Sequence, residues 1–495
     1  MKKRRQLIFI VLCVACCIFP LVTFPAAGNQ EAESEDAEVE WPAFFDEDGA
    51  WNSAFLEEAG DYFSYKFGFR QQYVTVNSAV KGTVFHTSGS DNVLKGQDGW
   101  LYYETTVDDF LGNETLSDLQ LAEIVSNLEL VQTTLADVYG IDFVFTISPN
   151  KNSLYPEHMP ALYEANAETR NSTRLRAMLA ESEVAYVDLY ALFESQDEVL
   201  YHRTDSHWNN RGAALVNTAL MTALGRDSYD YSSCGSYTET DFLGDLLKQV
   251  YPTVEGSAAE SLFYEEEIYY EKERTYTTVD EIESNYDPEI ETVNDEGTGS
   301  VVMFRDSFGN SLLPFVADEF AEGFFSRANP FTVYEAVDRQ ADTVIAEIVE
   351  RDLDLLQEAA PVLAVQDVVS DFYAQDIYMP DAFETGVYAT AAAGEYPAGN
   401  SVYLKITGEL DPDVLTADSV TYISIYNEET YDWYVYPVYY AAESATDEER
   451  AAYGYTAYFE QGDLYAAGIY EVSVLIQNGE ETVRSENLTQ IVIDE

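Results

Sequence analysis

The stretch Tyr201-His202-Arg203-Thr204-Asp205-Ser206-His207-Trp208-Asn209-Asn210-Arg211-Gly212-Ala213 sets a carboxylate and an imidazole two residues apart, just ahead of an Ala- and Leu-rich helical pattern. On extended backbone, side chains at i and i+2 leave the same face, so Asp205 can hold the His207 ring in one tautomer. An imidazole held in this way is a general base once a nucleophile reaches it from elsewhere in the fold. The best donor is Val301-Val302-Met303-Phe304-Arg305-Asp306-Ser307-Phe308-Gly309-Asn310-Ser311, a buried-strand pattern that ends in Asp-Ser and runs into an apolar helical segment. Ser307 then sits on the strand-to-helix turn, where helix N-terminal N–H groups face a developing oxyanion. An isolated Asp-x-His is a common surface pattern. What lifts this one is a second half of the same apparatus in a fitting local setting. The chemistry implied is acyl transfer or hydrolysis through an acyl-serine. No metal and no cofactor is expected, since His86, His158, His202 and His207 lack zinc-ligand spacing.

These residues need a scaffold, and the surrounding periodicity supplies one. Ser117 caps an amphipathic segment with Leu121, Ile124, Leu128, Val131 and Leu135 on one face, and Gly140 ends it. Ile141 to Ile147 reads as a strand, with Ser148-Pro149-Asn150-Lys151 as the loop at its carboxyl end. A helix around Thr169 to Glu183, a strand over Val184 to Tyr190 and a helix over Asn209 to Gly225 follow. After Ser307 come a helix through Phe320 and a strand over Asp342 to Arg351, and the pattern ends near Glu358. Such alternation predicts a parallel α/β sheet with helices on both faces, whose ligands bind beyond the carboxyl strand ends. Asn150, Asp205 and Ser307 would all lie there. Asn150 and Lys151 are therefore candidates for oxyanion or substrate contact, although an Asn after a strand also serves as a turn residue.

The chain has 495 residues and a formal net charge of -65, from 90 acidic against 25 basic residues. Nothing in that balance neutralises phosphates, so nucleic acid is excluded as a partner. Lys2, Lys3, Arg4 and Arg5 precede an apolar run from Leu7 to Phe24. Its length approaches the ~20 residues that cross a bilayer, and its charge places the N-terminus inside. The expectation is a single anchor with the body outside the cytoplasm; cleavage near Ala26 and Ala27, giving a secreted protein, is the alternative. Cys13, Cys16 and Cys17 lie in that run, which leaves Cys234 alone in the body without an intramolecular disulfide partner.

Four regions are expected: an anchor or signal peptide over 1–27, an acidic linker over 28–40, a catalytic domain over 41–375 with an insertion near 226–299, and a β-sandwich over 381–495. Within the catalytic domain, Trp51 through Ala79 reads as largely helical. Asn92 to Tyr103 reads as two short strands joined by a Gly-x-Asp-Gly turn, and Ser261 to Thr278 as a Tyr- and Glu-rich strand pair in the insertion. Short runs such as Ser401–Ile406, Val420–Tyr426 and Gly468–Ile476 suggest an immunoglobulin-like sandwich. Its tyrosines would be mostly core, with exposed ones available to stack on sugars.

Five motifs occur in order: Gly96-Gln97-Asp98-Gly99-Trp100-Leu101-Tyr102; Pro149-Asn150-Lys151 with Tyr155-Pro156; Thr204-Asp205-Ser206-His207-Trp208 with Gly212-Ala213; Asp306-Ser307-Phe308; and Asp342-Thr343-Val344-Ile345 with Glu350-Arg351. Together, over roughly Trp51 to Leu356, they resemble the alginate O-acetyltransferase group of SGNH-hydrolase-like proteins, including the "DHHW" proteins. The resemblance implies a flavodoxin-like SGNH fold and a catalytic triad of Ser307, His207 and Asp205. Ser206 stands where DHHW proteins carry a second histidine. The C-terminal region does not clearly match the carbohydrate-binding module of the alginate enzymes, and the charge argues against alginate itself as the polymer. The function implied is an extracytoplasmic O-acyltransferase on a cell-surface or secreted polysaccharide, with a membrane-bound O-acyltransferase as candidate supplier of the acyl group. Its rivals are a carbohydrate esterase with the same triad and a non-catalytic polysaccharide- or partner-binding surface protein.

Overall fold

The structure is a computed structural model that describes residues 41–493 apart from 46–49, 66–68, 86, 114, 412–413, 417–418, 442–452 and 480, together with positions 10, 11 and 14. Those three positions aside, the expected anchor and linker lie outside the described residues. Among the described residues no helix is long and apolar enough to cross a membrane.

Helices α1 (Phe55–Tyr65) and α2 (Arg70–Val80) lead into a hairpin of β1 (Val93–Lys95) and β2 (Leu101–Tyr103), in which Leu94 faces Tyr102. Its turn needs positive φ at Asp98 (55°) and Gly99 (85°), the backbone that the Gly-x-Asp-Gly pattern favours. Helix α3 (Asp118–Thr134) opens on a reciprocal cap: Ser117 Oγ accepts the Gln120 N–H, and Gln120 Oε1 accepts the Ser117 N–H. Strand β3 (Asp142–Ser148), helix α4 (Asn171–Leu179) and strand β4 (Tyr186–Val187) follow. The strand expected over Val184 to Tyr190 is cut short because Asp188 accepts the N–H groups of Tyr190 and Ala191, which starts α5 (Leu189–Glu194). Helix α6 (Asn210–Ala223) is capped by Asn209, whose side chain accepts the Gly212 N–H.

The insertion differs from its sequence reading. Strand β5 (Ser236–Phe242) is followed by α7 (Asp245–Val250), and β5 pairs antiparallel with β6 (Glu265–Tyr270), so the hairpin partner lies upstream of the expected Ser261–Thr278 pair. Strands β7 (Thr277–Thr278) and β8 (Glu289–Val293) leave the hairpin and join the main sheet. Then come β9 (Ser300–Phe304), α8 (Gly309–Ala317), β10 (Glu322–Ser326), α9 (Tyr334–Asp338) and β11 (Thr343–Val349).

The seven-stranded sheet runs β4-β3-β11-β9-β10-β8-β7. Its first five strands are parallel and its last two antiparallel, so the sheet is mixed rather than wholly parallel. Side chains alternate between two cores. Phe143, Phe145, Val302, Phe304, Val344 and Ala346 face the layer of α3, α4 and α9, whereas Val144, Val301, Met303 and Ile345 face α5, α6 and α8. Burial on both faces explains why these strands read as continuous apolar runs. Each such side chain contributes roughly 1.5–3 kcal/mol on leaving water. Adjacent strands β3 and β11 end level at Ser148 and Val349, and β9 ends at Phe304, in register with Ala346.

Beyond α10 (Val369–Ala374), the chain forms two further sheets. Strands β12 (Glu384–Val387), β15 (Ser419–Tyr426), β16 (Trp433–Pro437), β19 (Gly468–Asn478), β20 (Glu481–Ser485) and β21 (Thr489–Ile493) make one; β13 (Ala392–Ala398), β14 (Ser401–Glu409), β17 (Tyr439–Tyr440) and β18 (Gly454–Glu460) make the other. Tyr436, Tyr439, Tyr455, Tyr458 and Tyr470 are core, while Tyr388, Tyr431 and Tyr465 are exposed. One apolar cluster runs from the α3 face of the main sheet into these strands. Asn127 on α3 donates to Tyr440 O and accepts its N–H, both at 2.7 Å.

Candidate active site

Ser307 follows β9 by way of Arg305 and Asp306 and lies just ahead of α8. Its turn is held by Asp306, whose carboxylate accepts the Phe308 N–H (2.7 Å) on one oxygen and the Val349 N–H (2.5 Å) on the other. The end of β9 is thereby tied to the end of β11. Gly309 lets the chain turn so tightly, because a Cβ there would meet Arg305 Cβ at 2.5 Å. Among the described residues the Ser307 N–H has no hydrogen-bond acceptor, so it is available to an oxyanion.

His207 Nε2 lies 2.9 Å from Ser307 Oγ, and His207 Nδ1 lies 2.7 Å from Asp205 Oδ1. Serine, imidazole and carboxylate thus form one hydrogen-bonded line. The expected route to it was different: residues 203–207 are bends in the α5–α6 connection, not an extended strand end of the sheet. Asp205 reaches His207 through a local turn instead, in which Asp205 Oδ1 also accepts the His207 N–H at 3.0 Å. Trp208, fully buried, donates through Nε1 to Ser311 Oγ on α8 and packs edge-on to Phe308, which also packs edge-on to the His207 ring. The residue after the imidazole therefore docks on the helix after the serine and fixes their separation.

Three other contacts hold this loop. Glu265 accepts the N–H groups of Arg203 (2.9 Å) and Thr204 (2.7 Å) and also the Thr204 hydroxyl. Glu267 sits 2.9 Å from His202 Nε2, and a face of that ring stacks on Phe242. Asp245, first residue of α7, accepts the Ser206 N–H (2.8 Å) and hydroxyl (2.6 Å), and its own N–H binds Asp205 Oδ2 at 2.8 Å. Gly244 makes that approach possible: a Cβ there would sit 2.2 Å from Thr204 O.

Burial opposes charge on Asp205, but the His207 hydrogen bond and charge, with His202 beyond, hold its carboxyl well below the usual carboxylate range. Burial also opposes charge on His207, yet the hydrogen bond and charge of Asp205, joined by Asp245, raise its pKa above the ordinary histidine value; Arg351 pulls the other way. The two shifts agree. Asp245 is raised by burial and by the Asp205 charge. Ligand atoms of Asp205, His207 and Asp245 lie within 4.8 Å of one another. In this structure those atoms bind one another and Ser206, an arrangement that braces the ring from its Nδ1 side.

Asn150 and Lys151 lie where the loop after β3 was expected, but they differ in kind. Asn150 is buried, its N–H donates to Glu350 Oε2 at 2.8 Å, and neither side-chain amide atom has a hydrogen-bond partner. The amide lies beside Asp109 and lowers that carboxyl's pKa without meeting hydrogen-bonding geometry; burial and the Glu350 charge still push Asp109 up to about 8. A small cleft lined by Tyr103, Asn150, Lys151, Ser206 and Arg351 opens there. Lys151 requires a correction. Its Nζ donates to the carbonyls of His202 (3.2 Å), Arg203 (3.0 Å) and Asp205 (2.5 Å), so all three N–H groups are spent on the loop and none is left for an oxyanion or substrate.

Sequence reasoning missed Asp245, Glu265 and Glu267, and it quoted Arg351 in a motif without giving it a role. All but Arg351 lie in the insertion, where acidic residues are too common for three of them to stand out. The Gly244-Asp245 pair just before a helix was the one local signal.

A family described as the SGNH hydrolase-like domain of acetyltransferase AlgX matches residues 93–288, a span that includes Asp205 and His207 and stops before Ser307. The chain is similar to the probable alginate O-acetylase AlgJ of Pseudomonas syringae pv. tomato, at 25% identity over 182 residues. That match covers 36% of this chain and 44% of the relative, so it spans less than half the relative's length. Among solved structures, the O-acetyltransferase domain of Pseudomonas putida AlgJ aligns with TM-score 0.36 and 19% identity, over 54% of this chain and 93% of that one. A DHHW family protein from Eubacterium siraeum aligns with TM-score 0.38 and 18% identity, over 54% and 96%. Over residues 93–288 the chain is thus similar to the SGNH hydrolase-like domain of the AlgX acetyltransferase type, in keeping with the likeness to the alginate O-acetyltransferase group drawn from the motifs.

Proposed function

We propose that this chain is an extracytoplasmic O-acyltransferase, transferring an acetyl group to a cell-surface or secreted polysaccharide through a triad of Ser307, His207 and Asp205. The observation that carries the reading is the line of two contacts, 2.9 Å from Ser307 Oγ to His207 Nε2 and 2.7 Å from His207 Nδ1 to Asp205. His207 takes the Ser307 proton as Oγ attacks the acyl carbonyl, and the imidazolium returns it to the departing group. Asp205 fixes the Nδ1–H tautomer and stabilises the imidazolium. The oxyanion is met by the Ser307 N–H and by the buried Asn150 amide, which makes no hydrogen bond in the structure. A sugar hydroxyl then enters, gives its proton to His207 and takes the acyl group from Ser307, which regains its own proton.

The same reading makes the apolar run from Leu7 to Phe24 an anchor that leaves the body outside, and makes a membrane-bound O-acyltransferase the supplier of the acyl group. It takes the two C-terminal sheets as an immunoglobulin-like sandwich. The charge of -65 favours a neutral or basic polymer over a polyanionic one.

The test is covalent. A sulfonyl fluoride should label the chain at Ser307, and Ser307→Ala should remove both the label and acyl transfer while leaving the melting temperature unchanged. An unlabelled but folded wild-type chain would favour the binding-protein reading. If an acyl ester is released as free acid in preference to transfer onto any sugar hydroxyl, the esterase reading holds instead.

A further inference from the structure

Helix α2 is built inside out. Its small and polar side chains face the body: Thr75 accepts the Thr253 hydroxyl at 2.9 Å, Ser78 is buried, and a Cβ on Gly82 would lie 3.4 Å from the Tyr251 hydroxyl. Its apolar side chains face out. Val76, Val80 and Val84 are 63%, 50% and 62% exposed, and Phe69, Tyr73 and Phe85 are exposed beside them. The stripe 76-80-84 repeats every four residues, so it occupies one side of the helix and of the wider helical turn Lys81–Phe85 that continues it. Surface helices of water-soluble domains show the reverse pattern.

The charge around this stripe is as unusual as its polarity. Between Asp61 and Asp91 the sequence has no Asp or Glu but carries Lys66, Arg70 and Lys81, in a chain of net charge -65. Helix α2 starts at Arg70, on the same chain as the apolar run that ends at Phe24. The intervening polypeptide, fully extended at roughly 3.3–3.6 Å per residue, reaches about 150–165 Å, so it permits contact of α2 with the bilayer that the run enters and leaves the contact itself to the surface of α2.

We infer that α2 is a second attachment point, lying flat on the lipid surface with Val76, Val80 and Val84 in the headgroup-to-acyl boundary. This inference rests on the anchor reading given above. An anionic leaflet repels the body but attracts a basic, acid-free segment, which sets the side of the body that faces the membrane. A second copy of this chain would bring two strongly acidic bodies together, and α2 lacks the paired flanking charges that would offset this.

The test uses the full chain with its four cysteines replaced, in vesicles of phosphatidylethanolamine and phosphatidylglycerol. A bimane label at Val80→Cys should be quenched by lipids spin-labelled near the acyl carbonyl, at about 5–10 Å depth. A label at Tyr465→Cys, on the C-terminal sheets, should not. Val76→Asp should reduce the Val80 quenching to the Tyr465 level while melting temperature and serine labelling stay unchanged. Flotation of the chain with the vesicles but no Val80 quenching overturns the inference and leaves the anchor intact. Disulfide-linked dimers through Val80→Cys overturn it in favour of a second copy. Failure to float defeats both the anchor and the surface contact.

Discussion

Lys151→Met separates the two roles open to that residue. The ammonium is buried and donates to three carbonyls of the segment that carries Asp205 and His207. An apolar side chain of similar length strands those carbonyls, at roughly 1–3 kcal/mol for each unsatisfied group. Part of this is offset, because burial, against the raising charges of Asp205, Asp245 and Glu265, already lowers the Lys151 pKa from 10.5 to about 8. That depression costs the charged form about 3 kcal/mol. With three carbonyls stranded and about 3 kcal/mol recovered, the net loss should be about 0–6 kcal/mol, and the middle of that range, about 3 kcal/mol, is a fall in melting temperature of roughly 5–10 °C. The sign with pH is also fixed. Between the folded value of about 8 and the unfolded 10.5 the unfolded state binds more protons, so this lysine's contribution to stability rises with pH in that window and should vanish in the variant. Thermal unfolding across that range and the rate of Ser307 labelling by a sulfonyl fluoride are the assays. Both should drop in Lys151→Met at neutral pH. An unchanged melting temperature with normal labelling but lost transfer to sugar would refute the positioning role and restore substrate contact.

Asp205→Asn should lower acyl transfer by about 10⁴-fold through the wrong His207 tautomer, measured as single-turnover deacylation, while circular dichroism stays native. Asn150→Ala should lower kcat by about 10²–10³-fold if its amide meets the oxyanion. Because the amide makes no hydrogen bond and acts on Asp109 through charge alone, the melting temperature should fall little, and a large drop would make Asn150 a structural turn residue. The pH dependence follows from His207. Burial opposes its charge but Asp205 raises its pKa, so kcat/KM should rise with pH through a value above the ordinary 6.5, and Asp205→Asn should move that limb down. The stability His207 contributes is present below its unfolded pKa and lost as pH rises through the folded one. That from Asp205 is present above its unfolded value of 3.8 and lost as pH falls toward its folded one.

The sequence by itself determined the elements whose signals are local. Ser117 with Gln120 marks a helix start because the cap is made within one turn, and Val301 to Phe304 or Thr343 to Val349 read as strands because burial on both faces demands unbroken apolar runs. The motifs also named Asp205, His207 and Ser307 together, and the fold places these three side chains in hydrogen-bond contact. What tertiary structure alone decided has partners far apart in the chain. The acidic clamp of Glu265 and Glu267 on residues 202–204 reads as ordinary surface charge until the hairpin folds over the loop. Strands β8 and β10 are short and weakly patterned, and the neighbours that make them strands come from elsewhere. Lys151 looked available because a lysine after a strand is exposed by default, and only the folded loop presents three carbonyls to it. Local propensity and spacing are written along the chain; desolvation and the satisfaction of buried polar groups depend on which distant residues arrive, and that is set by the fold as a whole.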